Sequence, residues 1–231
     1  MKRYRHLFFD LDHTLWDFRT NSRATLSELL TDHGLATRGV PGPEEFIAAF
    51  EEINHALWAE HGAGRMPKEV LRVLRFRTAL QRFGITDGRL PQRMSESYLE
   101  RCPRKTALMP GAQAMLLGVA EGHRLHIITN GFEEVQHVKL EKSGLRAHFD
   151  LILTSERAGA AKPHAAIFEA ALRRTGARAE ESVMIGDNAE TDMLGARHAG
   201  WDQIHYTAET APDALATHRV AHHDELRRLL A

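Results

Sequence analysis

Leu7-Phe8-Phe9-Asp10-Leu11-Asp12-His13-Thr14 joins an apolar run to two carboxylates one residue apart. The run reads as a strand buried on both faces, and the acidic residues mark its carboxyl end. A strand period of two predicts that Asp10 and Asp12 project in roughly the same direction as the chain leaves the sheet, where they can serve one substrate. A buried strand that simply reached the surface would also be followed by polar residues. Three later segments separate these alternatives.

From Pro110 onward helix and strand alternate. A helix over 112–120 leads to a strand over 125–128 that delivers Thr129, Asn130 and Gly131, and a helix over 133–143 follows. A strand over 151–153 precedes Lys162-Pro163 and a helix over 165–174. A strand over 183–185 presents Gly186, Asp187 and Asn188, followed by a helix through Met193 and Ala196. A strand over 203–206 and a helix over 225–230 close the chain. Apolar strands alternating with helices predict an α/β fold with a doubly wound, parallel, Rossmann-like sheet, because both faces of each strand need a cover.

Between Asp17 and Cys102-Pro103 the pattern is helical throughout. Asn21 and Ser22 are candidate caps for a first helix carrying Leu26, Leu29 and Leu30. Pro43 opens a second with Phe46, Phe50, Ile53 and Leu57, and Pro67 precedes a third with Val73, Phe76 and Leu80. A fourth over 91–101 uses Met94 and Tyr98. Each amphipathic stripe needs a partner, which predicts an inserted helical bundle cap over 17–103, with the α/β core formed by 1–16 and 104–231. Arg75 and Arg77 read as solvated charges on the bundle.

The chain has 231 residues, 30 basic and 31 acidic, for a formal charge of -1. That balance provides no electrostatic footprint for a nucleic-acid polymer or an anionic membrane, so a small-molecule partner is expected, in a monomer or homodimer. The basic start Met1-Lys2-Arg3-Tyr4-Arg5 precedes an apolar stretch that Asp10 cuts too short for a signal peptide. With one cysteine, Cys102, no internal disulfide is possible, and a cytoplasmic setting fits. The 15 histidines show no zinc-binding spacing.

Ligands of parallel sheets bind beyond the strands' carboxyl ends, where Asp10, Asp12, Thr129, Asn130 and Asp187 are all expected. Phosphoryl transfer to water needs a nucleophile, a metal, a proton donor and fixed groups around the phosphoryl oxygens. Asp10 suits the nucleophile, and Asp12 suits the acid that protonates the leaving group and then activates water. Mg2+ prefers oxygen ligands, which Asp10, the Asp12 carbonyl and Asp187 can supply, with Asn188 and Asp192 in outer positions. Thr129, Asn130 and Lys162 can grip the phosphate. Trp16, Phe18 and Phe132 are candidates to stack a flat organic group of the substrate.

These residues resemble the haloacid dehalogenase superfamily, whose four motifs occur in order at Asp10-x-Asp12-x-Thr14, Thr129, Lys162 and Gly186-Asp187 with Asp192. The resemblance implies a Rossmann-like core, a helical cap inserted after the first strand, magnesium dependence and an aspartyl-phosphate route. The stretch from Asp12 to Phe18, with Thr129-Asn130-Gly131-Phe132, Gln136, Lys139 and Leu140, is similar to a bacterial pyrimidine 5'-nucleotidase branch. That branch carries His at position 13, where most of the superfamily has Gly. It implies hydrolysis of UMP, dUMP, dTMP or modified pyrimidine monophosphates. A phosphatase for a sugar phosphate or phosphoglycolate is the alternative, and a non-catalytic phosphoryl-binding module is the alternative of another class.

Overall fold

The computed structural model describes residues 4–208 and 216–230. Met1, Lys2 and Arg3 of the basic start lie outside them. The chain divides into two compact units, Arg19–Lys105 on one hand and Met1–Phe18 with Thr106–Ala231 on the other.

The first of these holds four helices: α1 (Phe18–Asp32), α2 (Pro43–Gly62), α3 (Lys68–Arg82) and α4 (Leu90–Arg101). Helix α1 begins before Asn21 and Ser22, so neither caps it; both are buried within its span, and Ser22 Oγ accepts a 2.7 Å hydrogen bond from Tyr98 on α4. Arg75 also departs from expectation. Leu71, Arg75 and Ala79 form one buried stripe of α3, four residues apart, so the helical period carries the guanidinium inward. It lies 4.7 Å from the Tyr98 ring centre and 5.5 Å from those of Phe50 and Phe76, and Nη1 donates to Asn54 Oδ1 at 3.1 Å. Aromatic faces and one amide hold this charge. Arg77, one turn face away, is exposed as expected.

The second unit is a six-stranded, wholly parallel sheet of β1 (His6–Phe9), β2 (Arg124–Thr129), β3 (Leu151–Thr154), β4 (Ser182–Gly186), β5 (Asp202–Tyr206) and β6 (His218–Val220). Its helices are α5 (Ala112–Val119), α6 (Glu133–Lys142), α7 (Ser155–Ala158), α8 (Ala165–Thr175), α9 (Leu194–His198) and α10 (His223–Leu230). The strand order β3-β2-β1-β4-β5-β6 is the doubly wound arrangement expected. All four residues of β1 are buried because β1 lies between β2 and β4, with Phe9 paired to Ile127 on one side and Ile185 on the other. Phe8, Ile128, Met184, Phe168 and Trp201 pack as part of one core cluster. The chain runs from β1 toward β3 and then returns to the other side of β1 at β4. That reversal creates the crevice in which ligands of such sheets bind.

Candidate active site

Asp10 follows β1 directly, and its N–H donates to Ile185 O on β4 at 2.9 Å, which continues the ladder one residue past the strand. The Lys162 ammonium donates to Asp10 Oδ1 at 2.6 Å and to Ile128 O at 3.0 Å, and ion-pairs with Asp192 Oδ1 at 2.5 Å. Two of its three hydrogens are therefore committed, while the contact with Asp192 Oδ1 is one of charge without hydrogen-bond geometry. Asn130 fixes Lys162 from both sides, accepting from its N–H at 2.8 Å and donating to its carbonyl at 2.9 Å. The Asn130 side chain thus anchors the lysine.

Asp192 sits in a π-helical turn, Ala189–Met193, that bends the chain back under β4. Its second oxygen accepts the Asn188 N–H at 3.2 Å. A Cβ at Gly186 would stand 2.2 Å from Asp192 Oδ2, so only glycine fits beside it. Asn188 Oδ1 accepts from Glu190 N and Thr191 N at 3.0 and 2.9 Å and caps the turn. Asp187 accepts from Thr14 Oγ1 at 3.2 Å.

Ligand atoms of Asp10, Asp187 and Asp192 lie within 4.8 Å of one another. Three carboxylates against one ammonium leave two excess negative charges when all are ionised. Burial, with neighbouring carboxylates adding to it, pushes Asp10 and Asp187 up to about 6, and Asp192 is raised for the same first reason. Burial disfavours the Lys162 charge, yet Asp10 and Asp192 raise its pKa overall. An all-oxygen donor set with this surplus charge fits a hard divalent cation. Asp192 meets the Asn188 N–H on one oxygen and the Lys162 charge on the other, whereas Asp10 and Asp187 each keep one oxygen with neither among the described residues. The second pair is the better placed to hold an ion.

Asp12 is not one of the three clustered carboxylates; β1 ends at Phe9 and the chain turns, with Leu15 N and Trp16 N both donating to Leu11 O. Its carboxylate instead meets α6, where Lys139 donates at 2.6 and 2.8 Å and Gln136 at 3.0 Å. Gln136 also donates to Thr129 Oγ1 at 2.7 Å, and Gly131 N donates to the same oxygen at 3.1 Å. With two donors arriving, the Thr129 hydroxyl hydrogen is free to point at a ligand. Gln136 and Lys139 carried a family resemblance in the sequence, but no role. The missed signal was their spacing of three, which puts an amide and a lysine on one helix face behind the Thr129 strand.

The aromatic candidates are placed differently from expectation. Trp16 is fully buried and Phe132 is 4% exposed, so neither offers a ring face for stacking. The Lys139 ammonium lies 4.5 Å from the Trp16 ring centre and 5.5 Å from that of Phe18. Phe18 alone of the three is half-buried. His13 has φ of 62°, the left-handed region in which glycine is at ease, and this explains why Gly is the common alternative there.

A family model for haloacid dehalogenase-like hydrolases matches residues 4–200. The chain belongs to this family. Among haloacid dehalogenase-like hydrolases, it is 33% identical to the pyrimidine 5'-nucleotidase YjjG of Escherichia coli K12, over 97% of this chain and 96% of that one. It is 30% identical to the pyrimidine 5'-nucleotidase PynA of Streptococcus pneumoniae, over 96% and 93% of the two chains. A crystal structure of the family member YfnB from Bacillus subtilis, bound to magnesium, superposes with a TM-score of 0.89 at 27% identity, covering 99% of both chains. Among the described residues, no helix is long and apolar enough to cross a membrane.

Proposed function

We propose that this hydrolase is a magnesium-dependent phosphomonoesterase acting through an aspartyl-phosphate, with pyrimidine nucleoside 5'-monophosphates as its substrates. The observation that carries the reading is the buried cluster of Asp10, Asp187, Asp192 and Lys162 at the switch point of the sheet. Similarity to YjjG and PynA supports the choice of nucleotide.

Lys162 orients Asp10 through Oδ1, and one carboxylate oxygen of Asp10 attacks phosphorus while the other is available to the ion. As that bond forms, the bond from phosphorus to the ester oxygen breaks, and Asp12 gives its proton to the departing alkoxide. Asp12 then takes a proton from water, whose oxygen attacks the acyl phosphate, releasing phosphate and restoring Asp10. Thr129 donates its hydroxyl hydrogen to a phosphoryl oxygen, and the Asn130 backbone amide adds a second donor. Asp10, Asp187 and the Asp12 carbonyl would hold Mg2+, with Asp192 and Asn188 shaping the surroundings; the ion offsets the charge of the phosphate dianion against the carboxylates. Phe18 is the aromatic with a surface left to meet a base.

A panel of nucleoside monophosphates, sugar phosphates and phosphoglycolate, assayed with and without Mg2+, tests this. Turnover of UMP, dUMP or dTMP that requires Mg2+ and disappears in Asp10→Asn is expected. Ordinary activity in that variant would end the covalent route, preference for phosphoglycolate would end the nucleotide assignment, and binding without turnover would make the chain a phosphoryl-binding module.

A further inference from the structure

Lys139 is a buried ammonium, its side chain 5% exposed, and its carboxylate partner is Asp12, whose own side chain stays 24% open. Both Asp12 oxygens are gripped on the lysine side, by Lys139 on Oδ1 and Oδ2 and by Gln136 on Oδ2. Gln136 spends one amide hydrogen on Asp12 and directs its amide to Thr129 as well, linking the proposed acid to the proposed phosphate donor. Flipping that amide would set its oxygen against a carboxylate, so the orientation is determined. Gly131 makes room for it, since a Cβ there would stand 2.2 Å from Gln136 Nε2. Behind Lys139 stand the rings of Trp16 and Phe18, the first of them fully buried.

A buried ion pair contributes little net stability, because desolvation of both charges offsets their attraction. Its constraint on geometry is the larger effect. A carboxylate on a turn has rotamers that aim it elsewhere, and two donors on one helix face leave it a single direction.

From this geometry we infer that Lys139 and Gln136 are positioning residues for proton transfer: they lock the Asp12 carboxylate at a fixed offset from Thr129, and Trp16 and Phe18 hold the Lys139 ammonium in place. The inference rests on the acid role proposed for Asp12, and it replaces base stacking as the work of Trp16.

The test compares kcat/KM for two esters in the full-length enzyme with Mg2+. UMP leaves as an alkoxide that needs a proton, whereas p-nitrophenyl phosphate leaves as a stable phenolate that hardly does. Lys139→Met should lower kcat/KM on UMP by about 10²-fold, the low end for a general acid, and on p-nitrophenyl phosphate by at least tenfold less. Lys139→Arg should recover part of the loss. In the double variant with Asp12→Asn, the UMP defect should be no larger than in Asp12→Asn alone, because both changes remove one function. Equal losses on the two esters, or losses that multiply in the double variant, would overturn the inference. If Asp12→Asn is selective against UMP and Lys139→Met is not, the clamp fails alone; if Asp12→Asn is itself unselective, the acid assignment fails and takes the clamp with it. Should Lys139→Met not fold, Gln136→Leu carries the same comparison, with a several-fold selective loss expected and an unselective one decisive against. β-Glycerophosphate, also an alkyl ester, replaces UMP if the wild type does not turn UMP over.

Discussion

At the residue scale, Lys162 is where charge and geometry are most tightly joined. It lies between Asp10 and Asp192 with 2% of its side chain exposed, so Lys162→Met would leave two buried carboxylates without a cation. A loss of about 3–5 kcal/mol in urea unfolding at pH 7.5 is expected, together with loss of turnover. The loss should shrink at pH 5, where the raised carboxyls can take up protons. Gly186→Ala should damage the same spot sterically, measurable as a lower Tm and lower kcat, because the new methyl would collide with Asp192. The convergence of Asp10, Asp187, Asp192 and Lys162 was legible in the sequence because a motif fixed the backbone around each. The facing of Trp16, Arg75 and Lys139 was not, because residue type reports what a side chain can do and packing decides which side it is on. Arg75 looked like a surface charge and is buried among three rings; Trp16 looked like a ligand contact and is wholly enclosed.

At the scale of elements, β1 and β2 share a buried histidine pair. His6 Nδ1 and His126 Nε2 are 3.0 Å apart, so one ring donates and the other accepts, and the two cannot both be charged. Burial, aided by His6, pulls His126 down to about 4. The unfolded chain takes a proton on His126 near pH 6.5, whereas the folded chain waits until about 4, so this contribution is complete above 6.5 and is lost as pH falls through that window. It is of order 3 kcal/mol. Urea titrations at pH 7.5 and 5 should show His126→Phe losing less stability on acidification than the wild type. The strands themselves were legible because Leu7–Phe9, Ile127–Ile128 and Val183–Ile185 are apolar runs that a doubly covered sheet accommodates. β6 was not, since a three-residue strand is too short to display a period.

For the whole molecule, the acidic cluster and the histidine pair pull stability in opposite directions with pH. Asp10 and Asp187 have raised values near 6, so their burial penalty is full above that pH and is relieved as pH falls toward the ordinary carboxyl range. Mg2+ at about a hundred times its Kd should therefore raise Tm by roughly 5–10 °C at pH 7.5 and by much less at pH 5, as scanning calorimetry would read. No Mg2+ effect at either pH would mean that the three aspartates do not hold the ion. The placement of β1 carries one more consequence. Its backbone amides, and the Asp10 amide bonded to Ile185, sit with two strands on one side and three on the other, so they should exchange with deuterium only when the entire sheet opens. Fraying at the β6 edge would then leave Asp10 untouched, and, on the proposed mechanism, the surviving fraction of turnover would count intact molecules, making the reaction itself a gauge of global unfolding.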